Sequence, residues 1–105
     1  MNNKTILKTI KSTVHCFLPN AKVLLFGSRA RRDHKKDSDF DVLIITSDTL
    51  PLKEKKNWRI KIKKAILEIL DISIDILIDS ENEVSIKKNL PGHTLRWAMK
   101  EGVLI

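Results

Sequence analysis

The sequence predicts one α/β domain, a two-layer fold in which helices pack on a small mixed sheet. Its 105 residues fit a single domain, and a composition of 42% hydrophobic and 31% charged residues is typical of a chain that folds. Two hydrophobic spacings alternate along the chain in the order α-β-α-β-α-β-α. Because the connections are short, we expect a mixed sheet of about three to four strands. Residues 1–105 are therefore expected to form one domain.

The first half of the chain is predicted to contribute a packing helix and two buried strands. Apolar residues at three- and four-residue spacing predict a helix over residues 4–17. Residues 22–26 are apolar almost throughout, which indicates a strand buried on both faces. The Ser28 hydroxyl is expected to cap a short helical turn over residues 29–32. Residues 39–46, rich in β-branched side chains, then predict a central strand.

A long helix and a third strand follow. Apolar residues on one side of residues 52–70 predict a helix whose other side is basic. Residues 72–78 predict a strand that places isoleucines on one face and Asp75 on the opposite face. An ionised carboxylate in the middle of so apolar a strand lowers the stability of the fold. Asp75 is therefore a candidate functional residue.

The C-terminal segment is predicted to be mainly helical. Ser80 and Glu83 have the spacing of a capping box, which indicates a short helix that ends at residue 88. A last helix is expected over residues 94–101, and residues 103–105 are too few to decide whether they form an edge strand.

The charge balance favours polyanionic partners. Twenty Lys and Arg residues against thirteen Asp and Glu residues give a formal net charge of +7, and seven of the basic residues lie in residues 53–64 beside one acid. Only 5% of the residues are aromatic, so stacking platforms for single-stranded nucleic acid are hard to build. Nucleic acid is therefore a partner that the composition allows and does not favour.

No membrane segment is expected. No apolar run approaches the roughly 20 residues that cross a bilayer, and the N-terminus alternates polar and apolar residues, unlike a signal peptide. The default prediction for localisation is the cytoplasm, with no membrane partner.

Two motifs carry the candidate chemistry. Gly27 and Ser28 form a small pair that allows backbone N–H groups to approach a phosphate. Asp39 and Asp41 lie on one face of the central strand and offer the oxygen ligands that Mg²⁺ prefers. If the strand of Asp75 lies beside them, the three carboxylates complete a cluster able to hold two ions for a phosphoryl displacement.

The combination of these motifs resembles the polymerase-β-like nucleotidyltransferases. Gly27-Ser28, ten intervening residues and then Asp39-x-Asp41, with Asp75 on a later strand, follow the pattern of that superfamily. The sequence is most similar to the minimal nucleotidyltransferases, a branch that consists of little beyond the catalytic domain. The resemblance runs over most of the chain, including the tail from Ala98 to Val103.

The resemblance implies a role for each matching residue. It implies that Gly27 and Ser28 grip a triphosphate and that two Mg²⁺ ions and ATP, as donor, take part. Arg29 and Arg31 match positions near the phosphates, and Arg32 stands where the family usually has glycine. The catalytic and metal-binding residues that it implies are Asp39, Asp41 and Asp75.

Asp79, close to Asp75, is a second candidate for the third acid, and the apolar neighbours of Asp75 favour Asp75.

The residues of the chain do not name the acceptor. The resemblance implies that the chain transfers AMP to a tyrosine of a HEPN-type toxin encoded nearby, which makes it an antitoxin. Two alternatives stay open: a non-catalytic module or antitoxin that acts by contact, and a protein that binds nucleic acid through its basic helix.

Overall fold

The structure contains the predicted alternation of helices and strands. It is a computed structural model that describes residues 2–105, and in that part of the chain it has five helices and four strands. The helices are α1 (Asn3–Phe17), α2 (Ser28–Arg31), α3 (Leu52–Ile69), α4 (Glu81–Lys87) and α5 (Thr94–Glu101). The strands are β1 (Lys22–Phe26), β2 (Phe40–Thr46), β3 (Ile74–Ser80) and β4 (Val103–Leu104).

The strands form one mixed sheet in the order β3-β2-β1-β4. β1 runs antiparallel to β2 and to β4, whereas β2 and β3 are parallel. The parallel pair requires a crossover, which α3 supplies. The last residues do form an edge strand, since Leu104 pairs with Leu24 and the Ile105 N–H donates to the Val23 carbonyl. The predicted mixed sheet is confirmed.

Helices cover both faces of the sheet, which corrects the expectation of two layers. One face packs its buried residues, among them Val23, Leu25, Val42 and Ile44, beneath α1 and α3. The other face, with Leu24, Phe26, Leu43 and Ile45, packs against residues of α4 and α5. β1 and β2 are apolar at nearly every position, so both faces of these central strands need a cover.

Two element boundaries differ from the sequence prediction in ways that affect the site. Gly27, with no side-chain hydrogen bond, is the N-cap of α2, and Ser28 is the first helical residue, so the expected Ser28 cap is wrong. β3 begins at Ile74 and ends at Ser80, and it is an edge strand. Asp75 is therefore exposed instead of buried within the sheet. The predicted capping box of α4 is present.

Among residues 2–105, no helix is both long enough and apolar enough to cross a membrane.

Candidate functional site

The parallel pairing of β2 and β3 brings the predicted acids together. Asp41 is in register with Asp75, and residues paired in this way project from the same face of the sheet. That face is the one covered by α4 and α5, because Leu43 and Ile45 share it with Asp41. Asp39 lies two residues before Asp41, just ahead of the strand, and is exposed.

The three carboxylates interact electrostatically. Burial raises the pKa of Asp41, and the negative charges of Asp75 and Asp39 raise it further, while Arg31 opposes the rise. Asp41 therefore lies close enough to the other two carboxylates to be affected by their charge. A bound cation relieves such repulsion because it neutralises carboxylates that otherwise disfavour one another's charge.

The donor set fits magnesium, although the side chains do not form a complete cage. Among residues 2–105, no group of three His, Cys, Asp or Glu side chains is gathered in a geometry that could hold a metal ion. Mg²⁺ usually takes only one or two carboxylates from the protein and fills its octahedron with phosphate oxygens and water. Asp39 and Asp41 satisfy that requirement, and Asp75 is the neighbouring third carboxylate.

Gly27 places the glycine-serine turn directly against Asp41. Its φ of 72° and ψ of −157° lie in a region that is essentially restricted to glycine. A Cβ atom at this position would overlap Oδ2 of Asp41, because the two non-bonded atoms would lie well inside van der Waals contact. The missing side chain is thus what allows the two predicted motifs to meet.

Arg29 makes its hydrogen bonds within the loop that joins α2 to β2. Its Nη2 donates to the carbonyl oxygens of Lys36 and Ser38, each at 3.0 Å, and its Nε donates to Ser38 at 3.2 Å. Its guanidinium also lies 4.2 Å from the ring centroid of Phe40, on the sheet face opposite Asp41. The nucleotide-binding role of Arg29 stays a prediction, and the contacts give it a structural role in ordering the loop.

Arg31 lies on the side of the acids and is held there by Glu101 of α5. Its Nη1 donates to both carboxylate oxygens of Glu101, at 2.9 and 3.1 Å, and its Nε donates to Asp33 at 3.1 Å. The hydrogen bonds from Arg31 to Glu101 and Asp33 raise the pKa of its guanidinium. The positive charge of Arg31 lowers the pKa of Asp41, so it acts on the Asp41 carboxylate. Of the two predicted arginines, Arg31 is the one that the fold brings to the site.

Glu101 is a residue of the site for which the sequence predicts no role. One signal was present: an acid in the last turn of a helix is disfavoured by the helix dipole, so Glu101 at the end of α5 indicates a cationic partner. The identity of that partner depended on the tertiary fold.

Arg32 adopts the conformation that glycine usually takes. Its φ of 64° and ψ of 21° are left-handed, and it is the C-cap of α2. Arg32 therefore keeps the left-handed backbone that glycine would adopt at this C-cap. The Cβ atom of Arg32 introduces steric strain into that conformation.

Replacing Arg32 by glycine is expected to stabilise the protein by about 0.5–1 kcal/mol, because relief of left-handed strain exceeds the entropy cost of glycine. Urea denaturation measures the change. The control is Arg96→Gly, at an exposed helical position of α5, which is expected to cost about 1 kcal/mol. Equal destabilisation by the two substitutions would contradict the strain at Arg32.

Asp79 is engaged in a buried charge cluster, so it does not compete with Asp75. Its Oδ1 accepts hydrogen bonds from Lys55 at 2.8 Å and from Lys87 at 3.1 Å. Lys55 also donates to Glu83. Asp79 pairs with Ile45, four positions along the strand from the Asp41–Asp75 pair. The structure therefore favours Asp75 as the acid nearest the other two.

Lys55→Met is expected to destabilise the protein by about 3 kcal/mol, because it leaves Asp79 and Glu83 with an incompletely compensated, poorly solvated charge. Burial alone would raise the pKa of Glu83, but hydrogen bonds from Lys55 and Ser80 lower it to about 2. The stabilisation is thus present above about pH 4.5, the ordinary pKa of glutamate, and is lost as the pH falls toward about 2. Urea denaturation across this range should show the difference between Lys55→Met and wild type shrinking.

The matched control is Lys22→Met, which breaks the exposed Lys22–Glu81 pair and should change stability by less than about 0.5 kcal/mol. A loss of equal size in both variants would contradict a special role for the buried cluster.

The chain is similar in sequence to known nucleotidyltransferases. A family model described as a nucleotidyltransferase domain matches residues 4–102. A protein of Methanocaldococcus jannaschii, named a "putative protein adenylyltransferase", is 40% identical over 75 residues, which cover 70% of this chain and 71% of that protein.

Solved structures share the fold. One described as a "putative nucleotidyltransferase" from Sulfolobus solfataricus has a TM-score of 0.62 and 25% identity, with 95% of this chain and 76% of that chain covered. A chain of a toxin–antitoxin structure with AMP-PNP has a TM-score of 0.55 and 18% identity, with 99% of this chain and 72% of that chain covered. At this level of identity the second likeness shows the fold.

Proposed function

The chain belongs to the nucleotidyltransferase domain family and is an enzyme of that class, and from this premise we propose that it transfers AMP from ATP to a hydroxyl group in a Mg²⁺-dependent reaction. The observation that carries the proposal is the contact of Gly27 with the Asp41 carboxylate, which is itself in register with Asp75. A turn suited to phosphate and a group of carboxylates suited to a divalent cation thus meet at one point.

Each residue has a separate task in the proposed reaction. The Gly27-Ser28 turn holds the triphosphate, and Arg31 adds positive charge beside it. Asp39 and Asp41 would hold Mg²⁺, which when bound neutralises phosphate charge, and Asp75 is the neighbouring third carboxylate. The acceptor oxygen attacks the α-phosphorus, the bond from this phosphorus to the bridging oxygen of the β-phosphate breaks, and pyrophosphate leaves. The acceptor's proton passes to the carboxylate of Asp75.

We propose a tyrosine of a HEPN-type partner protein as the acceptor, which makes the chain an antitoxin that acts by modification. The naming of the M. jannaschii relative as a protein adenylyltransferase supports a protein acceptor. The HEPN-type identity of the partner is inferred from the resemblance to the minimal nucleotidyltransferases.

The test is incubation of the protein with Mg²⁺, α-labelled ATP and the HEPN-type protein encoded beside it. The proposal predicts label on a tyrosine of that partner and none when Asp39 and Asp41 are both changed to Asn. Label that persists in the double variant would overturn the metal assignment. Inhibition of the partner by the double variant, without any label, would show instead an antitoxin that acts by contact.

Glu101→Gln is expected to raise the KM for ATP about fivefold with little change in melting temperature, because it frees an exposed arginine from its position beside the acids. Glu101→Asp should restore most of the affinity, since it keeps the charge. Steady-state transfer kinetics measure both. An unchanged KM together with a lowered melting temperature would give Glu101 a structural role only.

A further inference from the structure

The open edge of the sheet carries a cleft that the proposed donor site does not use. β3 is the last strand of the sheet, so its outer side has no partner strand in the described chain. Beside it, α3 and β3 enclose a shallow cleft of about 190 Å³. We call this the edge cleft; its lining residues are Arg59, Ile60, Lys63, Asp75 and Ile76.

The helical wall of the edge cleft is positively charged. Of the seven basic residues predicted for this helix, Lys55 is buried and the other six are exposed. Arg59 and Lys63 lie one turn apart on the flank that faces β3, and among residues 2–105 neither has an ion-pair partner. Two unpaired cations therefore stand on the same cleft as Asp75.

The same flank exposes apolar surface. Ile60 is 57% exposed and Leu67, two turns along the helix, is 42% exposed. Neither tryptophan supplies a stacking surface here: Trp58 packs edge-on against Phe17 at 6.1 Å between centroids, and Trp97 is on α5, which covers the opposite face. Cations with aliphatic neighbours suit an acidic peptide with an apolar anchor better than a nucleic acid strand.

We propose that the edge cleft binds the acceptor segment, an extended acidic stretch of a partner protein that lies along β3 and presents its hydroxyl to Asp75. Arg59 and Lys63 bind acidic side chains that flank the hydroxyl residue, and Ile60 contacts an apolar one. An extended segment suits the unpaired edge of a strand, because its backbone can hydrogen-bond there. The acceptor is thereby specified as a hydroxyl residue with acidic neighbours.

The role of the edge cleft as an acceptor site rests on the proposed function, but the binding of a peptide there can be tested separately. The probe is a fluorescent peptide with a tyrosine between glutamates, and the control peptide has lysines in their place. We expect the acidic peptide to bind and the lysine control peptide not to bind, and we expect added salt to weaken the binding. Fluorescence anisotropy measures both effects. Arg59→Glu with Lys63→Glu should weaken that binding at least about tenfold, through repulsion at the cleft.

The matched control is Lys53→Glu with Lys64→Glu, which makes the same change in net charge at exposed positions of α3 outside the cleft. It should weaken binding less than about threefold, as expected for charges that act only at a distance. Equal weakening by both pairs, or equal binding of both peptides, would overturn the edge cleft as a specific site. Displacement of the acidic peptide by poly(U) RNA would show a nucleic-acid surface instead.

Two outcomes separate this inference from the proposed function. Charge-dependent peptide binding without label transfer to any acceptor would support the edge cleft and overturn the proposed activity. Label transfer to the HEPN-type partner that Arg59→Glu with Lys63→Glu leaves unchanged would support the activity and overturn the edge cleft. Retained ATP binding by the variant would show that it is folded.

Discussion

Asp41→Asn is expected to lower the rate of nucleotide transfer by about a thousandfold or more, because it removes the central oxygen ligand of the proposed cation site. The same substitution should leave the melting temperature unchanged or raised. Burial and the charges of Asp75 and Asp39 disfavour the ionised form of Asp41, so a neutral side chain relieves repulsion in the ligand-free protein. Single-turnover label transfer and thermal unfolding measure the two effects.

Addition of Mg²⁺ separates this account from a structural role for Asp41. Mg²⁺ with ATP should raise the melting temperature of the wild type and have no such effect on Asp41→Asn. The control is Asp37→Asn, the same chemical change in the exposed loop before the motif, which should retain both transfer and stabilisation. A stable Asp41→Asn protein with normal transfer would refute the assignment.

The second large effect is expected at Gly27. Gly27→Ala combines a backbone conformation that alanine disfavours with a steric overlap on the Asp41 carboxylate. We expect a loss of about 2–4 kcal/mol in the free energy of unfolding. We also expect transfer to fall by about a hundredfold, because the carboxylate must move from its position.

Gly92→Ala provides the control for Gly27→Ala. Gly92 also has a positive φ, 76°, but a Cβ atom there would meet nothing within 4 Å. The substitution should therefore cost only the left-handed strain, about 1–2 kcal/mol, and leave transfer unchanged. If both variants lose stability equally and both keep full activity, the Gly27–Asp41 contact has no catalytic importance.

The elements that built the core were predictable because local pattern determines them. The continuous apolar runs of β1 and β2 identify strands covered on both sides, and the capping box of α4 is encoded within four residues. The candidate site was also predicted from local motifs, since the two motifs on either side of the loop each require particular residue types. Their meeting through Gly27 follows from the antiparallel pairing of β1 with β2.

The features of the site that could not be predicted from the sequence depend on long-range contacts. Arg31 and Glu101 are 70 positions apart, so their pairing requires the fold. The sequence separates the two candidates for the third acid, Asp75 and Asp79, only by the apolar neighbours of Asp75. The structure adds that Asp79 accepts a hydrogen bond from Lys55 of α3. The edge position of β3, which exposes Asp75, likewise follows from strand order and not from composition.

A crystal structure with Mn²⁺ and a non-hydrolysable ATP analogue tests the proposed cation and triphosphate site most directly, because anomalous scattering locates the metal. We expect Mn²⁺ bound by Asp39 and Asp41, with Asp75 adjacent and the triphosphate in contact with Gly27 and Ser28. A nucleotide whose phosphates lie elsewhere, with no metal on Asp39 or Asp41, would contradict the proposed site.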